Sequence, residues 1–308
     1  MTEMKPRTAT PPLWIADLML LLVAVVWGTS YGVAKQALAY YPVLGFLAVR
    51  FCLTLLILAP TLRNVLKPEG LAALRAGLPL GGILLAIFLC ETYGVAHTRA
   101  ANAAFLISLC VVFTPFAEWA VLRQRPDTSA FALTFVSLLG AYLLTSGLRG
   151  DVTLGDGLML LAAVLRALMV CFTKRLTHGK AIPALTLTAI QSGVVGIGSL
   201  VLALIVGGDA LQHLSNQPAF WLGTVYMVLF CTIFAFFAQN YAVSRSSPTR
   251  VSLLMGSEPV FGALFASLWL GEHLGVLAWV GGALIVAASL WATLPRPQPR
   301  PVPEKAYA

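Results

Sequence analysis

The sequence ETYGVAHTRAANAAFL, residues 91–106, returns in altered form as QNYAVSRSSPTRVSLL, residues 239–254. Each copy joins the end of one apolar run to the start of the next. At one constant offset, Glu91-Thr-Tyr corresponds to Gln239-Asn-Tyr, His97-Thr to Arg245-Ser, and Ala104-Phe-Leu to Ser252-Leu-Leu. The chain therefore contains one structural unit twice, and this duplication decides the fold.

The apolar content of the chain is too high for a water-soluble protein. Of its 308 residues, 59% are hydrophobic and 10% are charged, and the mean hydropathy is +0.86. A soluble domain carries roughly 25% charged residues, so we expect the solvent of this fold to be lipid. The N-terminus is polar and proline-rich, and no A-x-A cleavage site closely follows the first apolar run, which predicts that no signal peptide is removed.

The sequence predicts neither a metal site nor a cofactor. Its five cysteines lie inside apolar runs without C-x-x-C spacing, which is typical of small buried apolar residues. Neither a P-loop nor a G-x-G-x-x-G sequence that opens a helix is present.

Ten apolar runs are long enough to cross a bilayer as helices, which predicts an all-α integral membrane protein. Roughly 20 apolar residues cross the hydrocarbon core, and continuous rather than alternating runs exclude a β-barrel. Short connections make neighbouring helices antiparallel. The predicted spans lie near residues 16–37, 42–62, 76–97, 100–122, 128–148, 154–176, 182–206, 217–243, 248–270 and 273–293.

Lysine and arginine are distributed unevenly between the two sides of these spans. If the N-terminus is cytoplasmic, the basic residues on the outer side of the membrane are only Lys35, Arg99 and Arg149. The basic residues on the cytoplasmic side are Lys5, Arg7, Arg63, Lys67, Arg75, Arg123, Arg125, Lys174, Arg175, Lys180, Arg245, Arg250, Arg296, Arg300 and Lys305. This asymmetry predicts a multi-pass protein with both termini cytoplasmic, and we expect its membrane to be the bacterial inner membrane. The net charge of +8 then reflects topology, and we expect no nucleic-acid partner.

Charges, prolines and tyrosines recur at matching places in the two halves. The pairs are Asp17 with Asp156, Lys35 with Lys174, Pro42 with Pro183, and Tyr93 with Tyr241. Because each unit has five helices, the second enters the membrane upside down, which is a common plan of secondary transporters. We expect a cytoplasmic tail (1–14), two five-helix repeats (15–149 and 150–293) and a cytoplasmic proline-rich tail (294–308).

Several stretches together resemble the EamA-type branch of the drug/metabolite transporter superfamily. They are VVWGTSYGVAKQAL, Arg50-Phe51, TYGVAHTRAANAAFL and SEPVFGALFASLWLGEHL, and the resemblance covers about residues 15–293. It implies ten helices, a central cavity, and export or exchange of small metabolites. The sequence departs from the family pattern at Arg123-Gln124, the counterpart of Gly271-Glu272, and at Glu91, where relatives often carry an amide.

Two opposite charges are predicted near the middle of the membrane. A charge at this depth is costly unless it is paired, so each one suggests a function. Arg166 lies about twelve residues into helix 6 and Glu258 about ten residues into helix 9, where a rise of about 1.5 Å per residue puts both near the midplane. The pair either binds the polar groups of a substrate or is a purely structural bridge.

A second pair lies nearer the predicted outer surface. Arg50 in helix 2 and Glu91 in helix 3 lie at depths of roughly 12 Å and 9 Å, close enough to pair. They form either a bridge that joins these helices, or a site where Glu91 exchanges a proton or contacts a cationic group of the substrate. Glu118, low in helix 4, is expected to reach the cytoplasmic surface.

The remaining candidate site residues are aromatic or carry an amide. Trp27 and Tyr31 lie one turn apart on one face of helix 1, among small residues that either serve helix packing or leave room for a substrate. Asn102 and Gln239 can bind a substrate or a neighbouring backbone.

These features favour a secondary transporter over other classes of membrane protein. We expect export or exchange of small metabolites, amino acids or related compounds, by alternating access, driven by a substrate gradient or by protons. The alternative is a membrane enzyme or flippase acting on lipid-linked substrates. An enzyme of this kind would need acids, bases or metal ligands clustered at one membrane surface, whereas the four histidines are scattered over several loops. A receptor component would not need a duplicated, inverted half. We expect no enzyme activity and a functional monomer.

Overall fold

The computed structural model describes residues 13–67, 70–98, 100–123, 128–145, 152–207, 214–270 and 275–294. Throughout these ranges the regular secondary structure is helical, and no strand is present. Outside the described residues lie Lys5, Arg7, Arg99, Gln124, Arg125, Arg149, Gly271, Glu272, Arg296, Arg300 and Lys305, together with the predicted tails before residue 13 and after residue 294.

Ten helical spans in the described ranges correspond to the ten predicted ones, and four of them change geometry along their length. They are α1 (Leu13–Leu38), α2 (Val43–Leu58, continued by a 3-10 segment, Ala59–Leu66), α3 (Gly70–His97), α4 (Ala100–Ser108 and Cys110–Leu122), α5 (Thr128–Thr145), α6 (Leu154–Thr177), α7 (Ala184–Val206), α8 (Pro218–Tyr226, a π-helical segment Met227–Phe234, and Ala235–Arg245), α9 (Pro248–Met255 and Glu258–Leu270) and α10 (Val276–Thr293). Eight spans are long and apolar enough to cross a membrane, while α5 and the divided α9 are shorter. The predicted all-α membrane fold is confirmed.

The breaks in α4 and α9 fall at corresponding positions of the two halves. Leu109 and Ser257 each lie five residues beyond the matched pair Ala104 and Ser252. In α9 the cause is Pro259, because a proline has no N–H for the carbonyl four residues earlier and its ring crowds that carbonyl. That carbonyl belongs to Met255, the residue at which the first part of α9 ends.

The packing of the helices shows the inverted repeat directly. Helix α3 packs along α6 as α8 packs along α1, and α4 packs on α6 as α9 packs on α1. The contacts of α2 with α7 and of α5 with α10 map onto themselves under the same exchange of halves. Because each half has five spans, corresponding helices run in opposite directions.

The contact between α2 and α7 fixes which of their residues correspond. Gly193 faces the Leu55 side chain, and Gly196 faces the backbone of Cys52. The two contacts are symmetric only when Cys52 corresponds to Gly193 and Leu55 to Gly196. In the same register, the residue that corresponds to Arg50 is Gln191.

A matched polar contact lies at each end of the bundle. At the Asp17 end, where α1 begins, Asp17 accepts hydrogen bonds from Nε and Nη2 of Arg250 at 3.1 and 2.6 Å. At the Asp156 end, where α6 begins, Asp156 accepts a hydrogen bond from the Asn102 amide at 3.4 Å. The constant offset makes Arg250 the counterpart of Asn102, so one pair of positions meets at both ends, with an ion pair at the first and a neutral donor at the second.

We predict that both termini lie on the cytoplasmic side. Ten spans return the chain to its starting side, and the lysine and arginine distribution sets which side that is. A green fluorescent protein fused after Pro295 is therefore expected to fluoresce, and alkaline phosphatase at the same position to be inactive. An active phosphatase fusion, with the N-terminus shown to be cytoplasmic, would contradict the even number of spans.

Candidate functional site

A central cavity opens between the two halves, where α1, α2, α3, α4, α6, α8 and α9 meet. About 70 Å³ of it is open to water-sized spheres, and its wall is mostly apolar. One water needs about 10–15 Å³ of such volume, so the cavity has room for about five to seven waters. Seven of the eight site residues predicted from the sequence line it: Trp27, Tyr31, Arg50, Glu91, Arg166, Gln239 and Glu258.

The predicted pair of Arg166 and Glu258 is present at the cavity wall. Arg166 Nη1 lies 3.4 Å from Glu258 Oε2, and Glu258 is only 5% exposed. Glu258 begins the second part of α9, where the positive end of the helix dipole favours a carboxylate. The break in α9 therefore places this charge in the middle of an otherwise apolar span.

Part of this central pair is left without hydrogen bonds. Glu258 Oε1 and the Tyr31 hydroxyl are both buried and neighbour each other, but neither atom forms a hydrogen bond of good geometry with a described residue. A buried polar atom without a partner costs about 1–3 kcal/mol. Both atoms are covered by their neighbours but belong to residues that line the cavity, so a rotation of either side chain toward the cavity would let a ligand bind it.

Trp27 is fixed in place by the π-helical segment of α8. Its indole N–H donates to the Cys231 carbonyl at 3.0 Å, and its ring packs against Phe236 with a centroid distance of 5.7 Å. The guanidinium carbon of Arg166 lies 4.4 Å from the centre of the Trp27 ring, which is a favourable cation–π contact. Trp27 thus positions Arg166 as well as lining the cavity.

The predicted pairing of Arg50 with Glu91 is wrong. Arg50 Nε donates instead to the hydroxyl of Thr232, at 2.9 Å, and the guanidinium carbon lies 5.2 Å and 5.1 Å from the ring centres of Phe51 and Phe88. No acidic oxygen of a described residue lies within 4.0 Å of it. The π-helical segment, which no sequence pattern marks, brings Thr232 to Arg50 in place of the acid.

Glu91 and Gln239 occupy corresponding positions in α3 and α8, and both face the cavity. Neither side chain forms a hydrogen bond or an ion pair with a described residue. The cavity therefore presents one carboxylate and one amide that are open to a ligand.

Asn102 does not lie at the cavity. Its amide donates to Asp156, which also accepts a hydrogen bond from the Thr98 hydroxyl at 2.5 Å and forms a capping box with Thr153 at the start of α6. Asn102 is thus part of the contact at the Asp156 end. Its distance along the helix axis was predictable, but the side to which it turns was not.

The expectation that Glu118 reaches the surface is also wrong. Glu118 is 6% exposed, and its Oε2 accepts hydrogen bonds from the Thr249 backbone N–H, at 3.0 Å, and from the Thr249 hydroxyl. Thr249 lies in the first turn of α9, where free N–H groups favour a carboxylate. Sequence reasoning missed this contact, although Ser247-Pro248 is a recognisable helix start.

The model of the EamA-like transporter family matches residues 14–146 and 153–294 of the chain. The threonine/homoserine exporter RhtA of Salmonella typhimurium is 28% identical over 94% of this chain and 95% of its own length. The "probable terminal-alkyne amino-acid exporter" of Streptantibioticus cattleyicolor is 26% identical over 87% of this chain and 90% of its own.

A solved crystal structure of another protein has the same architecture. It matches the fold with a TM-score of 0.69 at 17% sequence identity, over 91% of this chain and 96% of its own. At this identity the likeness shows the fold alone.

Proposed function

Because the chain belongs to the EamA-like transporter family, we propose that it is a secondary transporter that exports or exchanges small amino acids or related compounds by alternating access. We place it in the bacterial inner membrane with both termini cytoplasmic. We predict a functional monomer, because the two inverted halves of one chain already enclose the cavity. The exporter names of the two relatives support the proposed substrate class.

One observation carries the proposal: a cavity between two inverted halves contains a buried ion pair with unused hydrogen-bonding capacity. Inverted repeats with the binding site between them are the plan by which secondary transporters alternate access. Arg166, Glu258, Tyr31 and Gln239 offer hydrogen bonds to a substrate, and Trp27 offers an apolar face. Asn102, a site residue predicted from the sequence, belongs to the contact at the Asp156 end and is not part of the proposed site.

We expect flux of amino acids in proteoliposomes that contain this protein alone. Vesicles would be loaded with one unlabelled amino acid and exchanged against its labelled form outside, using L-threonine, L-homoserine, L-leucine and L-phenylalanine in turn. Vesicles containing protein denatured before reconstitution serve as the control. We expect uptake above this control for at least one of the four. Equal uptake in both vesicle types for all four would reject the amino-acid class, and movement of a labelled lipid instead would favour a flippase.

A further inference from the structure

Arg50 is a buried guanidinium whose charge is not neutralised by a direct contact with a described residue. The residue is 4% exposed, and only its Nε has a hydrogen-bond partner, the Thr232 hydroxyl. Its two terminal amino groups donate to no described residue and are not among the atoms sealed from the cavity. A buried charge without a counter-ion is costly, so this position suits an anion that arrives with a ligand.

Glu91 supplies the opposite charge at the same cavity. Its carboxylate is more than 4.0 Å from the nitrogen atoms of Arg50 and of Arg166. It is nevertheless close enough for its charge to act on both of these guanidinium groups. A gap therefore separates two unpaired, opposite charges, and both of them line the cavity.

The second half of the protein carries no charge at the positions that correspond to Arg50 and Glu91. Gln191 corresponds to Arg50 and Gln239 to Glu91, so both positions carry neutral amides there. Asn240 donates hydrogen bonds to Gln191 Oε1 at 2.9 Å and to Thr188 Oγ1 at 3.0 Å. The contact between α7 and α8, which corresponds to that between α2 and α3, is thus made without charge.

The central pair differs from Arg50 and Glu91 in this respect. Arg166 and Glu258 are in direct contact at 3.4 Å, and each neutralises the other. The charges that remain free for a ligand are those of Arg50 and Glu91.

We propose that Arg50 binds the carboxylate and Glu91 the ammonium group of a zwitterionic substrate, an inference that rests on the proposed function. In an α-amino acid the carboxylate and the ammonium group are bonded to the same carbon atom. The molecule can therefore contact both side chains across the gap that separates them. The two terminal amino groups of an arginine match the two oxygens of a carboxylate. The rest of the substrate then points toward Trp27, Tyr31 and Glu258.

The test separates the two charges by chemistry. Arg50→Gln and Glu91→Gln each install the residue that the other half carries at the corresponding position. Uptake of the best-transported labelled amino acid of the panel is measured in competition with three unlabelled compounds. These are the same amino acid, its C-terminal amide, which lacks the carboxylate, and its N-acetyl derivative, which lacks the ammonium group. We expect the wild type to prefer the free amino acid to both derivatives by about 10-fold or more. Arg50→Gln is expected to lose only the preference over the amide, and Glu91→Gln only that over the N-acetyl derivative.

Two further variants control for loss of charge and for loss of folding. Arg175→Gln removes an exposed arginine outside the cavity and is expected to keep both preferences. Arg50→Lys keeps the charge but not the paired donors, so it is expected to keep part of the preference over the amide even if Arg50→Gln is not recovered from membranes.

The outcomes distinguish this inference from the proposed function. Unchanged preferences in both glutamine variants, or equal loss of both preferences in each, would overturn the assignment of Arg50 and Glu91 while flux by the wild type still supports an amino-acid transporter. Absence of flux in the wild type for the whole panel would overturn the proposed function, and this inference with it.

Discussion

The double variant Arg166→Met, Glu258→Gln is expected to regain the membrane abundance of the wild type but not its flux. Removing both charges leaves no unpaired ion in the apolar interior, and exchange of a buried ion pair for neutral residues of similar volume is often neutral for stability. Flux does not return, because the Arg166 donors and the free Glu258 carboxylate oxygen, which we assign to hydrogen bonds with the substrate, are absent.

The two single variants are expected to behave differently from the double. Arg166→Met strands Glu258, and Glu258→Gln strands Arg166, and an uncompensated buried charge costs about 3–5 kcal/mol. Both singles should therefore lose abundance as well as flux. Arg166 retains its contact with the Trp27 ring, so the loss of abundance should be smaller for Glu258→Gln than for Arg166→Met.

The test compares abundance in membranes and flux per molecule for the two single variants, the double variant and Arg175→Gln. This comparison shows whether the central pair binds the substrate or is purely structural. Full recovery of flux in the double variant would show that the central pair is purely structural. The substrate contacts would then be sought at Tyr31, Gln239 and the ring of Trp27.

Gly28→Val is expected to cause a large loss of stability, because it forces α1 away from α9. A Cβ atom at Gly28 would lie 2.6 Å from the Glu258 carbonyl oxygen and 2.7 Å from the Gly262 nitrogen. Both are backbone atoms of α9, so the clash can be relieved only by moving the two helices apart. Overpacking of a tight core costs typically 1–3 kcal/mol, and a backbone clash on this scale falls at the upper end of that range or above it.

Gly32→Val is the matched control, one turn further along the same helix. No atom lies within 4 Å of a Cβ built at Gly32, so this variant is expected to unfold within a few degrees of the wild type. Thermal unfolding of both variants in the same detergent measures the difference. Equal melting temperatures for Gly28→Val and the wild type would show that α1 and α9 do not pack this closely.

The sequence predicts the architecture well because hydrophobic length and repetition are one-dimensional signals. The ten spans and the inverted halves both follow from run lengths and from pairs such as Asp17 with Asp156. The depths of Arg166 and Glu258 also follow, because depth depends only on counting residues along a straight helix.

Side-chain direction around the helix axis was the part that counting could not supply. Arg50 and Glu91 have matching depths but do not touch, because the π-helical segment of α8 brings Thr232 to Arg50. Glu118 lies near the end of its span yet turns inward to Thr249. In each case the partner residue lies on a helix distant in sequence. The rotation of each helix about its axis is set by packing rather than by the local sequence pattern.

The unequal contacts at the two ends have a consequence for the energetics of the transport cycle. An ion pair between Asp17 and Arg250 weakens as salt screens its charges, whereas the bond from Asn102 to Asp156 has only one charged member and is less sensitive. Separating the helices at the Asp17 end therefore becomes easier as ionic strength rises, and separating them at the Asp156 end changes less. In the proposed alternating-access cycle we therefore expect the two directions of opening to differ in free energy although the two halves share one fold, and we expect salt to shift the balance between them.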